Sequence, residues 1–155
     1  MRVLIIGGTN FMGPHVVREL ATKGHTVAVF HRGKTQADLP AGVVKILGDR
    51  TKLADHAAPL RDFAPDVVLD MMLITAQEAQ AVMDTFRGVA QRVVAASSGD
   101  VYRAYDRFRG VSPGAPDPTP LTEESPLREK LYPYRGDEPR AEDDLQKRLD
   151  DFKPS

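Results

Sequence analysis

The chain has 155 residues, which is enough for one domain with its own hydrophobic core. Its 21 basic and 22 acidic residues give a formal net charge of -1, so bulk charge favours neither a nucleic acid nor a membrane surface as partner. The absence of cysteine excludes disulfides, thiolate metal sites and a cysteine nucleophile. Because no apolar run reaches the length of a signal-peptide core or a membrane span, the sequence predicts a soluble cytoplasmic protein.

At the N-terminus an apolar strand runs into a glycine-rich turn and then into a helix. The strand is predicted over Val3 to Ile6 and the helix over Phe11 to about Lys23. Between them and at the helix start lie Gly7, Gly8 and Gly13. Glycines let the chain turn tightly, and they let backbone N–H groups approach a phosphate without interference from a Cβ. We expect unpaired N–H groups at the start of the helix to favour an anion there, so the pattern predicts a dinucleotide-binding site.

This glycine pattern departs from the dinucleotide-binding fingerprint G-x-G-x-x-G at one position. Counted from Gly8, the middle glycine of the fingerprint falls on Asn10, whereas the last one is present as Gly13. Asparagine is the non-glycine residue that best tolerates a left-handed turn. The alternative interpretation is an ordinary strand-to-helix turn whose glycines serve packing alone.

Strands and helices then alternate through residue 102. The predicted strands are His25 to Phe30, Val43 to Leu47, Asp66 to about Leu73 and Arg92 to Ala96. The predicted helices are Leu53 to Phe63, bent at Pro59, and Ala76 to Arg87. Alternating short apolar strands and helices favour a parallel sheet that is covered on both faces. The predicted fold class is therefore α/β, a doubly wound parallel sheet.

Beyond residue 102 the composition changes. Seven of the 12 prolines fall between residues 110 and 139, which predicts a long loop rather than a helix or a central strand. A polar helix is predicted from near Glu138, with Ala141, Leu145 and Leu149 on one apolar stripe. We therefore divide the chain into residues 1–109, the nucleotide-binding part, and residues 110–155, a loop and helix of the same incomplete domain.

Four segments in colinear order carry a resemblance to a known family. They are Gly-Gly-Thr-Asn-Phe-Met-Gly at residues 7–13, Val-Phe-His-Arg-Gly-Lys at 29–34, Gly-Asp-Arg at 48–50 and Ser-Ser-Gly-Asp-Val-Tyr at 97–102. Together they resemble the NAD(P)-dependent epimerase/dehydratase family, the extended short-chain dehydrogenases, and its subgroup that includes chloroplast stem-loop-binding proteins. The resemblance implies a Rossmann-type domain, here incomplete after the fifth strand and the loop and helix that follow it. It also implies nicotinamide-dependent chemistry on a nucleotide sugar or similar small molecule.

The resemblance also implies where a dinucleotide would lie. Its pyrophosphate would contact Gly7, Gly8, Thr9, Asn10, Phe11, Met12 and Gly13. After the second strand an NAD enzyme carries an acidic residue for the ribose 2′-hydroxyl, but this chain has Arg32 and Lys34. Their charges suit a 2′-phosphate, so we expect NADP as the cofactor, with NAD possible; the alternative is a solvated turn. Asp49 and Arg50 match the family position beside the adenine, or are ordinary turn residues after Gly48.

Further candidates stand at the ends of the fourth and fifth strands. We expect Met71 to line the cofactor site, Met72 to belong to the core, and the buried Asp70 to cap nearby backbone N–H groups. Ser98 matches the serine of the family pattern Ser-x-x-Val-Tyr, and its implied role is to hydrogen-bond the reacting oxygen of the substrate. The alternative is a strand-end serine that satisfies backbone groups.

The Tyr-x-x-x-Lys pair that the family uses for catalysis does not occur in this sequence. We therefore expect the chain to bind a dinucleotide without turnover, as the cofactor-binding part of a longer oxidoreductase or epimerase. One alternative is a non-catalytic dinucleotide-sensing module. The other is an RNA-binding relative, which the net charge disfavours. Its basic and aromatic residues would be Arg103, Tyr105, Arg107, Phe108 and Arg109. The four histidines show no metal-ligand spacing, so no metal site is expected.

Overall fold

The computed structural model describes residues 1–129, and the helix predicted from near Glu138 lies outside them. The chain divides into two compact units, Met1–Ser98 and a second unit that begins at Gly99. The division falls before residue 110, at which the sequence analysis divided the chain.

The first unit is built on a five-stranded parallel sheet. Its strands are β1 (Arg2–Ile6), β2 (Thr26–His31), β3 (Val44–Leu47), β4 (Val67–Asp70) and β5 (Arg92–Ala95). They lie side by side in the order β3-β2-β1-β4-β5. In register, Ile5 of β1 pairs with Val29 of β2 on one side and with Leu69 of β4 on the other. This sheet confirms the predicted doubly wound α/β fold.

Alternate residues of β1 enter two different hydrophobic cores, because successive side chains of a strand point to opposite faces. The helices are α1 (Gly13–Thr22), α2 (Ala57–Asp62) and α3 (Ala76–Phe86). On one face, Leu4 and Ile6 pack with Leu60 of α2 and Phe86 of α3. On the other face, Ile5 packs with Val17 of α1. Burial on both faces explains why the β1 sequence is continuously apolar.

Three predicted elements differ from the observed ones for local reasons. The first helix begins at Gly13, because Phe11 has a left-handed φ of 49°, which a right-handed helix does not tolerate. The helix predicted over residues 53–63 is a 3₁₀ segment (Arg50–His56) followed by α2, with Pro59 in the first turn of α2, where its missing N–H is harmless. The fourth strand ends at Asp70, whose side chain accepts the Met72 N–H and turns the chain.

The second unit contains a helix that the sequence analysis did not predict, α4 (Arg103–Phe108). Within residues 110–129 the proline-rich segment forms no helix or strand, as predicted, apart from an antiparallel bridge between Tyr102 and Leu127. Asp117 in this segment is buried and pairs with Arg103 and Arg107 of α4 at 2.7 and 2.8 Å. Ion pairs therefore fix a segment that has little backbone pairing of its own.

We expect the substitution Gly48→Ala to destabilise the first unit. A Cβ at Gly48 would lie 2.5 and 2.7 Å from ring carbons of the fully buried Phe30, and 2.8 Å from the His56 ring. Because the Phe30 ring has no room to move, the free energy of unfolding should fall by about 1 to 3 kcal/mol. Urea unfolding followed by circular dichroism measures this change. Gly99→Ala is the control, since a Cβ there meets nothing within 4 Å; equal losses in both variants would contradict the packing argument.

Candidate functional site

The glycine turn (residues 7–12) and the loop after β4 (residues 71–75) lie next to each other at the carboxyl edge of the sheet. They are neighbours because β1 pairs with β4, with Ile6 opposite Asp70. β1 is also the strand at which the order of connections reverses, since β2 and β3 lie on one side of it and β4 and β5 on the other. Open parallel sheets bind ligands in the crevice at this point. These two segments therefore form the walls of the candidate site.

The start of α1 rests directly on the glycine turn. A Cβ at Gly13 would lie 2.5 Å from the carbonyl carbon and 2.7 Å from the carbonyl oxygen of Gly8. A Cβ at Gly8 would in turn lie 3.0 to 3.2 Å from side chains of the buried sheet and helix. Backbone atoms cannot yield as a flexible side chain does, so any residue larger than glycine at position 13 moves the turn. The two glycines are required by this close approach.

The first turn of α1 has fewer free donors than the sequence suggested. The N–H of Gly13 donates to the Asn10 carbonyl at 2.9 Å, and the N–H of His15 donates to the Met12 carbonyl at 3.1 Å. Pro14 has no N–H. Within residues 1–129 the N–H groups of Thr9 and Met12 have no hydrogen-bond partner. Donors available to an anion therefore lie in the turn rather than in the helix.

The left-handed non-glycine residue of the turn is Phe11, not Asn10 as the sequence pattern suggested. Phe11 has a φ of 49° and is 82% exposed. A non-glycine residue in this conformation costs on the order of 1 kcal/mol and is found most often at functional sites. The Asn10 side chain instead accepts the Phe11 N–H through Oδ1 at 2.9 Å.

Of the two methionines after β4, Met72 is the one that reaches the glycine turn. A Cβ at Gly7 would lie only 2.5 Å from the Met72 Cγ, and the Met72 side chain is half-exposed beside the turn. Met71 packs against the core on the α1 side of the sheet. The prediction that Met72 belongs to the core is wrong, because its side chain is half-exposed. The sequence signal for this contact was Gly7, since a glycine has no Cβ and leaves space for a neighbouring side chain.

A buried network of ion pairs lies next to the loop after β4 (residues 71–75). The carboxylate of Asp70 is fully buried, and its Oδ2 lies 2.5 Å from Nη2 of Arg50. Nη1 of the same guanidinium lies 2.9 Å from Oε1 of Glu78. Asp70 Oδ1 accepts the Met72 N–H at 2.9 Å, which confirms the expectation that Asp70 caps backbone groups. Arg50 is thus turned inward onto two carboxylates.

Glu78 joins this network to the start of α3. Its Oε2 accepts the N–H groups of Ile74 and Thr75 at 3.0 Å, and the Thr75 hydroxyl accepts the Glu78 N–H, which completes a capping box. Burial alone would raise the pKa of Glu78. The two N–H groups and Arg50 more than offset burial, and they hold this pKa below its ordinary value. The loop between β4 and α3 is therefore held at both ends.

The remaining adenosine-side candidates lie together after β2 and β3. Arg32 and Lys34 are exposed and flank Gly33, which has a left-handed φ of 74°. Asp49 accepts the N–H and the hydroxyl of Thr51, both at 2.9 Å. These bonds, together with the nearby charges of Arg32 and Lys34, hold the pKa of Asp49 below its ordinary value. Arg32 and Lys34 therefore act electrostatically on Asp49, whereas Arg50 faces the interior.

Ser98 ends the first unit and follows β5 at the carboxyl edge of the sheet. Ligands bind at that edge in open parallel sheets, so the position of Ser98 is compatible with a role at the substrate. The role itself comes from the family pattern and stays a prediction.

The basic and aromatic residues of α4 have less free charge than their sequence suggests. Arg103 and Arg107 both pair with Asp117, and hydrogen bonding from Arg103 holds the pKa of Asp117 below its ordinary value. The guanidinium of Arg109 lies 5.6 Å from the ring centroid of Tyr105. Two of these arginines therefore serve the fold of the second unit.

Among residues 1–129, every helix is too short or too polar to span a membrane. No cluster of three or more His, Asp or Glu side chains within the same range could hold a metal ion.

The strand order, the glycine turn and the crevice beside it define a Rossmann-type α/β domain. The chain belongs to the NAD dependent epimerase/dehydratase family, whose model matches residues 3–135.

Two named proteins are similar to this chain in sequence. 2'-Dehydrokanamycin reductase of Streptomyces kanamyceticus is 36% identical over 98 residues, which cover 63% of this chain and 28% of that protein. Chloroplast stem-loop binding protein of 41 kDa b of Arabidopsis thaliana is 28% identical over 130 residues, 76% of this chain and 34% of that protein. The chain thus spans about a third of the length of these relatives or less.

Among solved structures, UDP-glucose 4-epimerase of Thermus thermophilus in complex with NAD aligns with a TM-score of 0.64 at 24% identity. The alignment covers 83% of this chain and 44% of that one. At this identity the likeness shows a shared fold.

We expect stability to depend on pH through Glu78. Its pKa is lower in the folded chain than the ordinary 4.5, so its contribution is present above about pH 4.5 and is lost as the pH falls toward the folded pKa. Glu78→Gln should lower the free energy of unfolding by about 1 to 2 kcal/mol near neutral pH and by less in acid. Urea unfolding across this pH range measures both.

Glu19→Gln is the matched control for this measurement. Glu19 forms an exposed pair with Lys23 at 3.0 Å, a kind of interaction that contributes little to stability. If the two variants had the same stability at every pH, the buried network would have no part in the pH dependence.

Proposed function

We propose that this chain is a dinucleotide-binding domain that places the pyrophosphate of NAD(P) on the glycine turn. The observation that carries the proposal is the backbone approach of Gly13 to Gly8 at the point where the strand order reverses. Such an approach gives a ligand access to backbone amides, and the amides of Thr9 and Met12 are open among the described residues. Membership of an NAD-dependent family supports the same cofactor class.

In this proposal the adenosine half extends over the ends of β2 and β3. Asp49 has carboxylate oxygens that can accept a hydrogen bond from the adenine amino group. Arg32 and Lys34 supply two exposed positive charges where an NAD enzyme would carry an acid, and these charges favour the 2′-phosphate of NADP. Arg50 contributes indirectly, because its guanidinium is held by Asp70 and Glu78.

For the whole protein we propose an epimerase or oxidoreductase activity on a nucleotide sugar or similar small molecule. The proposal is supported by the family and by the relatives' names, which include a reductase and a UDP-glucose epimerase. Ser98 would hydrogen-bond the reacting oxygen of the substrate. It would not act as the base, because an unactivated serine hydroxyl is not basic near neutral pH. The family's base is the tyrosine of a Tyr-x-x-x-Lys pair, which does not occur in these 155 residues.

We expect Gly13→Val to abolish binding of NAD and NADP while the domain stays folded. A branched side chain would be forced against the Gly8 backbone and would displace the turn from any phosphate. Isothermal titration calorimetry measures affinity, and circular dichroism verifies the fold. Thr22→Val, at the exposed far end of the same helix, is the matched control and should bind normally. Unchanged affinity in a folded Gly13→Val variant would place the phosphate elsewhere.

We expect the wild-type chain to bind NADP more tightly than NAD, and Arg32→Ala to remove most of that difference. Loss of a charge-assisted contact to the 2′-phosphate should weaken NADP by about 1.5 to 3 kcal/mol and leave NAD nearly unchanged. The control, Arg87→Ala, removes the same charge from an exposed position at the end of α3. Equal affinities for the two cofactors, unaffected by Arg32→Ala, would exclude the 2′-phosphate role.

A further inference from the structure

The amide of Phe11 is a donor of the glycine turn that the protein itself already uses. The Asn10 side chain is exposed, and its Oδ1 accepts the Phe11 N–H at 2.9 Å. A carboxamide oxygen is a neutral acceptor, whereas a phosphate oxygen is charged and accepts more strongly. The fingerprint has glycine at this position, and glycine would leave the amide open.

The Phe11 amide is important because the start of α1 offers few other free N–H donors. Gly13 and His15 of α1 donate to carbonyls of the turn, and Pro14 has no N–H. A phosphate on the turn therefore depends on the amides of residues 8–12, and the Phe11 amide is one of these five. Its exposed side chain leaves the turn accessible from solvent.

The Asn10 carboxamide does not hold the turn together. The turn is closed by its backbone, because the Gly13 N–H donates to the Asn10 carbonyl at 2.9 Å. That bond remains when the side chain of residue 10 is shortened. Removing the carboxamide should therefore free the Phe11 amide without moving it.

From these contacts we infer that Asn10 is an internal competitor for phosphate, and that it lowers the affinity of the chain for diphosphate ligands. The inference rests on the proposed dinucleotide function. A diphosphate that binds the turn displaces the Asn10 oxygen and takes its hydrogen bond from Phe11. The affinity for the diphosphate is thereby reduced by the free energy of one hydrogen bond. A chain with the fingerprint's glycine at this position has no side-chain hydrogen bond to break.

The test compares ADP with adenosine, which lacks the diphosphate, by isothermal titration calorimetry. Asn10→Ala should bind ADP about two- to tenfold more tightly than the wild type, because one competing hydrogen bond is gone. Asn10→Asp keeps the acceptor and adds a negative charge, so it should bind ADP about tenfold more weakly. Adenosine affinity should be the same in all three proteins. Gln77→Ala, which removes an exposed carboxamide from α3, is the control and should leave ADP affinity unchanged.

The outcomes separate this inference from the proposed function. If the wild type binds ADP and Asn10→Ala binds it equally or more weakly, Asn10 is not a competitor, although the dinucleotide site stands. If neither the wild type nor Asn10→Ala binds ADP, the proposed function and the inference both fail. Asn10→Gly is a second variant with the same expected sign, and thermal unfolding verifies that each variant is folded.

Discussion

The approach of the α1 backbone to the glycine turn is the constraint on which the candidate site depends. A Cβ at Gly13 would lie 2.5 Å from the Gly8 carbonyl carbon, and this distance is too short for any side chain at position 13. This approach determines where α1 starts and closes the turn through the Gly13–Asn10 hydrogen bond. It also leaves Phe11 in a left-handed conformation on the exposed side of the turn. The exposed amides and the covered core therefore follow from the same two glycines.

The opposite wall of the crevice is held by charge rather than by close backbone packing. Burying Asp70 without a partner would cost several kcal/mol, and Arg50 together with the Met72 N–H offsets that cost. Because Glu78 also binds Arg50, the network links the segment after β3 to β4 and to the start of α3. Removing one partner would leave a buried charge uncompensated, so the network favours one arrangement of these segments. Its effect at the site is to place Met72 over Gly7.

The sequence predicted the parts of this arrangement that depend on neighbouring residues. The apolar run of β1, the glycine turn and the alternation of strands and helices are local patterns, and they sufficed for the sheet. The inward orientation of Arg50 could not be predicted, because its partner Asp70 is 20 residues away and is brought near by the fold. The ion pairs of α4 were missed for a similar reason. Its arginines suggested free positive charge, whereas Asp117 neutralises two of them across a proline-rich segment.

Two kinds of group around the crevice are available to bind an anion: neutral backbone amides of the turn and exposed positive side chains. Arg50 is engaged by carboxylates, so the turn offers a diphosphate neutral backbone donors such as the Thr9 and Met12 amides. The free positive charges, Arg32 and Lys34, lie at the end of β2 and are exposed. Interactions of exposed charges are screened by salt, whereas hydrogen bonds from backbone amides depend on it far less. In the proposed complex, discrimination between NADP and NAD is therefore the salt-sensitive part of binding, and the pyrophosphate contact is common to both cofactors.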